Sequence, residues 1–82
     1  MMLVSAKLLS KNQNKIRYAF GPSHTQLDGI LCINQQDVNT SFIEKMSQDV
    51  PEAWGLRATA SIILHIRDEK NIPDTYEYYP GY

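Results

Sequence analysis

Long apolar runs are absent from this 82-residue chain. Its most apolar stretches, Ile30–Leu31–Cys32–Ile33 and Ile62–Ile63–Leu64, fall far short of the ~20 residues a membrane-spanning helix requires. The opening Met1–Met2–Leu3–Val4–Ser5–Ala6–Lys7 has no basic segment ahead of an apolar core, which argues against a secretory signal. Cysteine is also scarce. A single thiol, Cys32, cannot cross-link the fold, so this is no disulfide scaffold. Two histidines, His24 and His65, lie far apart in sequence and, with one cysteine, fall short of the roughly four ligands of a metal site. The expectation is a cytoplasmic protein without metal or cofactor.

Acidic residues are missing from the first third. Before Asp28 the only charged residues are Lys7, Lys11, Lys15 and Arg17, and all nine acids follow. The net charge of −1 therefore hides a basic N-terminal hairpin and an acidic remainder. With 43% hydrophobic and 21% charged residues, the chain is too apolar for a disordered segment. A chain this short buries about 60–65% of its unfolded surface and makes one domain, residues 1–82, with a modest core.

Hydrophobic periodicity predicts α+β architecture. Over 3–9, Val4, Ala6 and Leu8 alternate with Ser5 and Lys7; over 15–20, Ile16, Tyr18 and Phe20 alternate with Lys15, Arg17 and Ala19. Period 2 indicates strands, and Asn12–Gln13–Asn14 between them is a turn, since Asn tolerates left-handed backbone. A third strand is expected over 27–33, with Leu27, Leu31 and Ile33 on one face and Ile30 and Cys32 on the other. Over 38–46, Val38, Thr40, Phe42 and Met46 fit a strand while Phe42, Ile43 and Met46 fit a helical turn; a short edge strand is the favoured reading. A helix is expected over about 50–70, with Asp49 as N-cap, Pro51 and Glu52 in the first turn, and Asn71 and Pro73 at its end. On a helical wheel Leu56, Ala60, Ile63 and Ile66 form the expected core stripe, flanked by Ile62 and Leu64, and Gly55 weakens the helix by roughly 1 kcal/mol. The expected fold is thus an antiparallel meander of three to four strands packed on one helix, followed by an aromatic tail over 74–82.

That tail, Tyr76–Glu77–Tyr78–Tyr79–Pro80–Gly81–Tyr82, carries four of the five tyrosines. Tyrosine gives large contact area at low entropic cost, which suits recognition surfaces. The tail either docks on a partner or packs back on its own domain. Trp54 is either a rim residue of the sheet–helix seam or an interface anchor. Lys7, Lys11, Lys15 and Arg17 beside Tyr18 and Phe20 form a basic-aromatic hairpin suited to nucleic acid, although Arg17 faces away from the two rings. Ser23, His24, Asp28 and Cys32 contain the residue types of nucleophilic catalysis without a nucleophile-elbow pattern, and Cys32 in an apolar run is a small core residue unless it meets a base.

The strand Ile16–Arg17–Tyr18–Ala19–Phe20–Gly21, the strand following Asp28–Gly29, the helix from Ala58 to Ile66, and the ending Pro73 and Tyr76 to Tyr82 resemble small uncharacterised proteins of Gram-positive bacteria and their phages. The resemblance implies a fold and no activity. The sequence leads first to a non-enzymatic protein-binding or self-assembly module using Trp54, Tyr76, Tyr78, Tyr79 and Tyr82. A nucleic-acid accessory protein using the basic hairpin comes second, and a small enzyme built on His24 and Cys32 third.

Overall fold

A computed structural model describes residues 3–79. Strands β1 (Val4–Lys11), β2 (Lys15–Gly21), β3 (Gly29–Asn34) and β4 (Phe42–Lys45) precede helix α1 (Glu52–Glu69), and β5 (Thr75–Tyr78) follows it. All neighbours pair antiparallel in the order β4-β3-β2-β1-β5. The α+β expectation holds, with a fifth strand added. The expected tail supplies that strand: Tyr78 lies opposite Val4 and Tyr76 opposite Ala6.

The β1–β2 turn forms as its asparagines dictate. Asn12 Oδ1 accepts from the backbone N–H groups of Asn14 (2.7 Å) and Lys15 (2.8 Å), an Asx turn that sets the hairpin. Cross-strand register places Leu8, Tyr18, Leu31 and Ile43 in one row, and Ala6, Phe20 and Gly29 in the next. With Val4, Ile16 and Ile33 these rows make the face that α1 covers.

Segment 38–46 divides into two pieces, which corrects the single edge strand expected there. Val38–Thr40 is a 3₁₀ turn capped by Asp37, whose carboxylate accepts from the Asn39 N–H at 3.1 Å, and only Phe42–Lys45 pairs as a strand. The helix ends also differ from expectation. Pro51 is the N-cap and makes no side-chain cap bond, whereas Asp49 accepts from Gln26 Nε2 at 2.5 Å. Lys70, not Asn71, closes the helix in the left-handed conformation (φ 59°), and its N–H bonds to the Ile66 carbonyl.

The largest correction is the rotation of α1. Its buried residues are Gly55, Ala58, Thr59 and Ile62, about a quarter turn from the expected stripe. Leu56, Ala60 and Leu64 are exposed. Close approach explains the choice. A Cβ on Gly55 would stand 2.8 Å from Ile43 Cδ1 and 3.3 Å from the Phe20 ring, so the helix lies on the sheet through its smallest residues. Ile62 and Ile66 fill the space beyond them.

Tyr18 ties the segment after the helix to the sheet. Its side chain is fully buried, and its hydroxyl donates to the Pro73 carbonyl at 2.6 Å. Burial, aided by the nearby Asp74 carboxylate, pushes the phenol up to about 12. The fold therefore favours the neutral phenol. That contribution is complete below the ordinary value of 10.0 and disappears as pH rises from there through about 12. Tyr18→Phe is expected to cost about 1–2 kcal/mol at neutral pH, because the Pro73 carbonyl loses its donor. Urea titrations from pH 7 to 11.5 should show less alkaline destabilisation in the variant than in the natural chain.

Candidate functional surfaces

The basic residues do not form one face. Lys15 and Arg17 project from the helix-free side of β2, and Lys7 pairs with Ala19 on that same side. A bulge between Leu8 and Ser10 brings Lys11 opposite Ile16, on the helix side. Arg17 Nη2 donates to Glu44 on β4, spanning β3 at the level of Cys32. Glu77 adds another acid to this surface, opposite Ser5. The aromatic rings expected beside the basic residues, Tyr18 and Phe20, lie fully buried under α1. The geometry thus offers a mixed-charge sheet face in place of the basic-aromatic patch expected of the hairpin.

The catalytic residue types are dispersed as well. Cys32 is 1% exposed on β3. His24 stands on the β2–β3 loop, its Nε2 3.7 Å from Glu77 Oε1 on β5. Three strand spacings, roughly 14 Å, separate β3 from β5. Ser23 Oγ meets Thr25 Oγ1 at 3.0 Å, and Asp28 turns to the chain ahead of the helix. Among the described residues no group of three or more His, Cys, Asp or Glu side chains is placed to hold a metal ion. Among the described residues no helix is long and apolar enough to cross a membrane.

Asp28 has a structural task. Its carboxylate accepts from Ser47 Oγ at 2.6 Å and from the Gln48 N–H at 3.1 Å. These two bonds, Ser47 first, hold its pKa below the ordinary 3.8. The stabilisation is complete above that value and is lost as pH falls through the lowered one. Asp28→Asn should therefore be less stable than the natural chain at pH 6, with the gap closing as pH drops below about 4. Chemical denaturation at stepped pH reads this directly.

The aromatic residues divide between core and surface. Tyr76 and Tyr78 are half-buried on the helix side of β5. The Tyr76 hydroxyl meets Ser61 Oγ at 2.5 Å, and its ring packs edge-on against His65 at 5.4 Å. Tyr79 is 48% exposed, its hydroxyl donating to Glu77 at 3.0 Å. Tyr82 lies outside the described residues. Trp54 is half-buried at the rim of the core, with the Arg57 guanidinium 4.9 Å from its ring centre, a cation–π contact.

Sequence reasoning missed the outer surface of α1. Leu56 and Leu64 are 46% and 48% exposed, with exposed Ala60 between them and exposed Ala53 one turn earlier. Positions spaced by four residues stand above one another on a helix. Together these side chains form an uncovered apolar stripe, bordered by Arg57. The signal was present in the sequence as a surplus: α1 has more large apolar residues than one face can hold. Other exposed apolar side chains, such as Leu9 and Phe42, stand on the sheet, away from this stripe.

No family model, curated protein or solved structure matches this chain. The functional reading therefore rests on these surfaces alone.

Proposed function

We propose that this protein is a non-enzymatic self-assembly module whose interface is the outer stripe of α1. The observation that carries the reading is the exposed series Leu56, Ala60, Leu64. The series is symmetric about Ala60. In an antiparallel pair of helices from two copies, each Leu56 meets the partner's Leu64, and the two Ala60 side chains meet at the dyad. Small residues at the crossing let the helices approach, and the flanking leucines close over them. A patch that is complementary to itself across a two-fold axis is the requirement for an isologous dimer. Half-exposed leucines in line on a small monomer are a surface that association would cover. Trp54 and Arg57 border the stripe, and exposed Tyr79 lies elsewhere, just past the end of β5, so the helix supplies the anchors in this reading.

Sedimentation equilibrium across a concentration series tests the proposal. The natural chain should approach twice the 9.4 kDa monomer mass at high concentration. Leu64→Lys should remain a monomer and keep its unfolding midpoint when both chains are compared as dilute monomers, since Leu64 contributes little to the monomer's core. A natural chain that stays monomeric into the hundreds of micromolar, or a Leu64→Lys chain that dimerises equally well, overturns it.

A further inference from the structure

The helix crosses the sheet obliquely. Its first turns bear on Phe20 and Ile43, and by Ser61 it has reached Tyr76 on β5. The crossing leaves a wedge over the far ends of β2 and β3. There an open cavity of about 150 Å³ has Ile16 and Ile33 on the sheet side, Ile63 and Ile66 on the helix side and Val38 from the 3₁₀ turn. Aliphatic cavities of about this volume accept benzene-sized guests, so a single branched aliphatic side chain fits.

Among the described residues the polar lining consists of Gln35 and Arg67, and each has a definable role. Arg67 makes no ion pair among the described residues. Asp68 and Glu69, its neighbours in sequence, project about 100° and 200° away from it around the helix. Lys11, opposite Ile16 on the same sheet face, adds positive charge at this end, and Lys70 follows the helix. Among the described residues no acid lines the cavity. A guanidinium beside an apolar cavity suits a carboxylate, which it can grip with two parallel N–H bonds. Gln35 is held in place: its N–H donates to the Asn14 carbonyl at 2.8 Å and its Nε2 donates to the Asn12 carbonyl. Its Oε1 remains as an acceptor.

We propose that this wedge binds the free C-terminus of a peptide that ends in leucine, isoleucine or valine. The last side chain enters the cavity, the terminal carboxylate pairs with Arg67, and the last amide N–H donates to Gln35 Oε1. An amide N–H distinguishes an acylated chain end from a free amino acid, whose ammonium would stand beside the Arg67 guanidinium and offer Gln35 a charged donor. The site adjoins the C-terminal end of the Leu56–Leu64 stripe, with Arg67 one turn beyond Leu64, so it is tested on the dilute monomer.

Methyl-resolved NMR titrations with N-acetyl-alanyl-leucine, with its C-terminal amide and with free leucine test the assignment. The acid should shift the methyl signals of Ile16, Ile33, Ile63 and Ile66 and bind about tenfold more tightly than the amide. Arg67→Gln should erase that difference while leaving the signals of core residues remote from the wedge unchanged. Equal binding of acid and amide, or an Arg67→Gln chain that still discriminates them, overturns the carboxylate role. Free leucine binding as tightly as the acetylated dipeptide overturns the peptide assignment. An absence of shifts at these methyls overturns the site.

Discussion

Phe20→Ala is expected to remove about 3–5 kcal/mol of folding stability. A domain of this length has roughly 4–12 kcal/mol in total, so the variant will be largely unfolded under mild denaturant. The magnitude follows from the position. Phe20 is fully buried, and the chain has been shaped around its ring. A Cβ on Gly29 would lie 2.6 Å from ring atoms, and one on Gly55 would lie 3.3 Å away. Glycine at both positions lets the β3 backbone and the α1 backbone close on the two sides of the ring. Two backbones cannot collapse into the space left by a truncated side chain as freely as side chains can, so the cavity term adds to the lost transfer energy. Urea denaturation followed by circular dichroism should show the midpoint falling with the slope retained. A loss below about 1.5 kcal/mol would mean that α1 does not rest on this ring.

The alternation of Ile16, Tyr18 and Phe20, and the asparagine turn before it, made the first hairpin legible from sequence, because one strand face lies under α1 and the other carries Lys7, Lys15 and Arg17. The helix was legible in its existence but not in its rotation. A wheel weights large apolar residues, and α1 carries enough of them to outline two stripes. What decided between the stripes was Gly55 with Ala58 and Thr59, residues whose value lies in what they allow to approach, and hydrophobicity gives them little weight. Gly55, read as a weakness of the helix, is its point of closest contact. The fifth strand was hidden for a related reason. Tyr76, Glu77 and Tyr78 alternate, but a four-residue segment has too few periods to be separated from a tail until β1 is seen to need a partner on its outer edge. The outer stripe of α1 became visible only when the rotation was known, since Leu56, Ala60 and Leu64 are core candidates by composition and surface residues by geometry.

Gly21→Ala is expected to destabilise the protein by about 3 kcal/mol or more, at the upper end of what overpacking costs. For a domain this small that is a fall of more than about 10 °C in melting temperature. An added Cβ would sit 1.8 Å from the Gln26 carbonyl oxygen and 2.8 Å from its carbon. Both are backbone atoms, so no side chain can swing aside and the loop itself must move. That loop is closed by the Gln26 N–H bond to the Ser23 carbonyl at 3.1 Å. It is tied to the residues before α1 through Gln26 and Asp49, and it approaches β5 through His24 and Glu77. Displacing it loosens each of these links. The same substitution at Gly55 provides the contrast. The nearest atom there is Ile43 Cδ1 at 2.8 Å, the tip of a side chain that can rotate, and alanine improves helix propensity by about 1 kcal/mol. Gly55→Ala should therefore fall within about 1 kcal/mol of the natural chain. Thermal melts of the two variants, run side by side, separate a backbone obstruction from a side-chain one. A Gly21→Ala chain as stable as the Gly55→Ala chain would show that the β2–β3 loop does not fold back against β2.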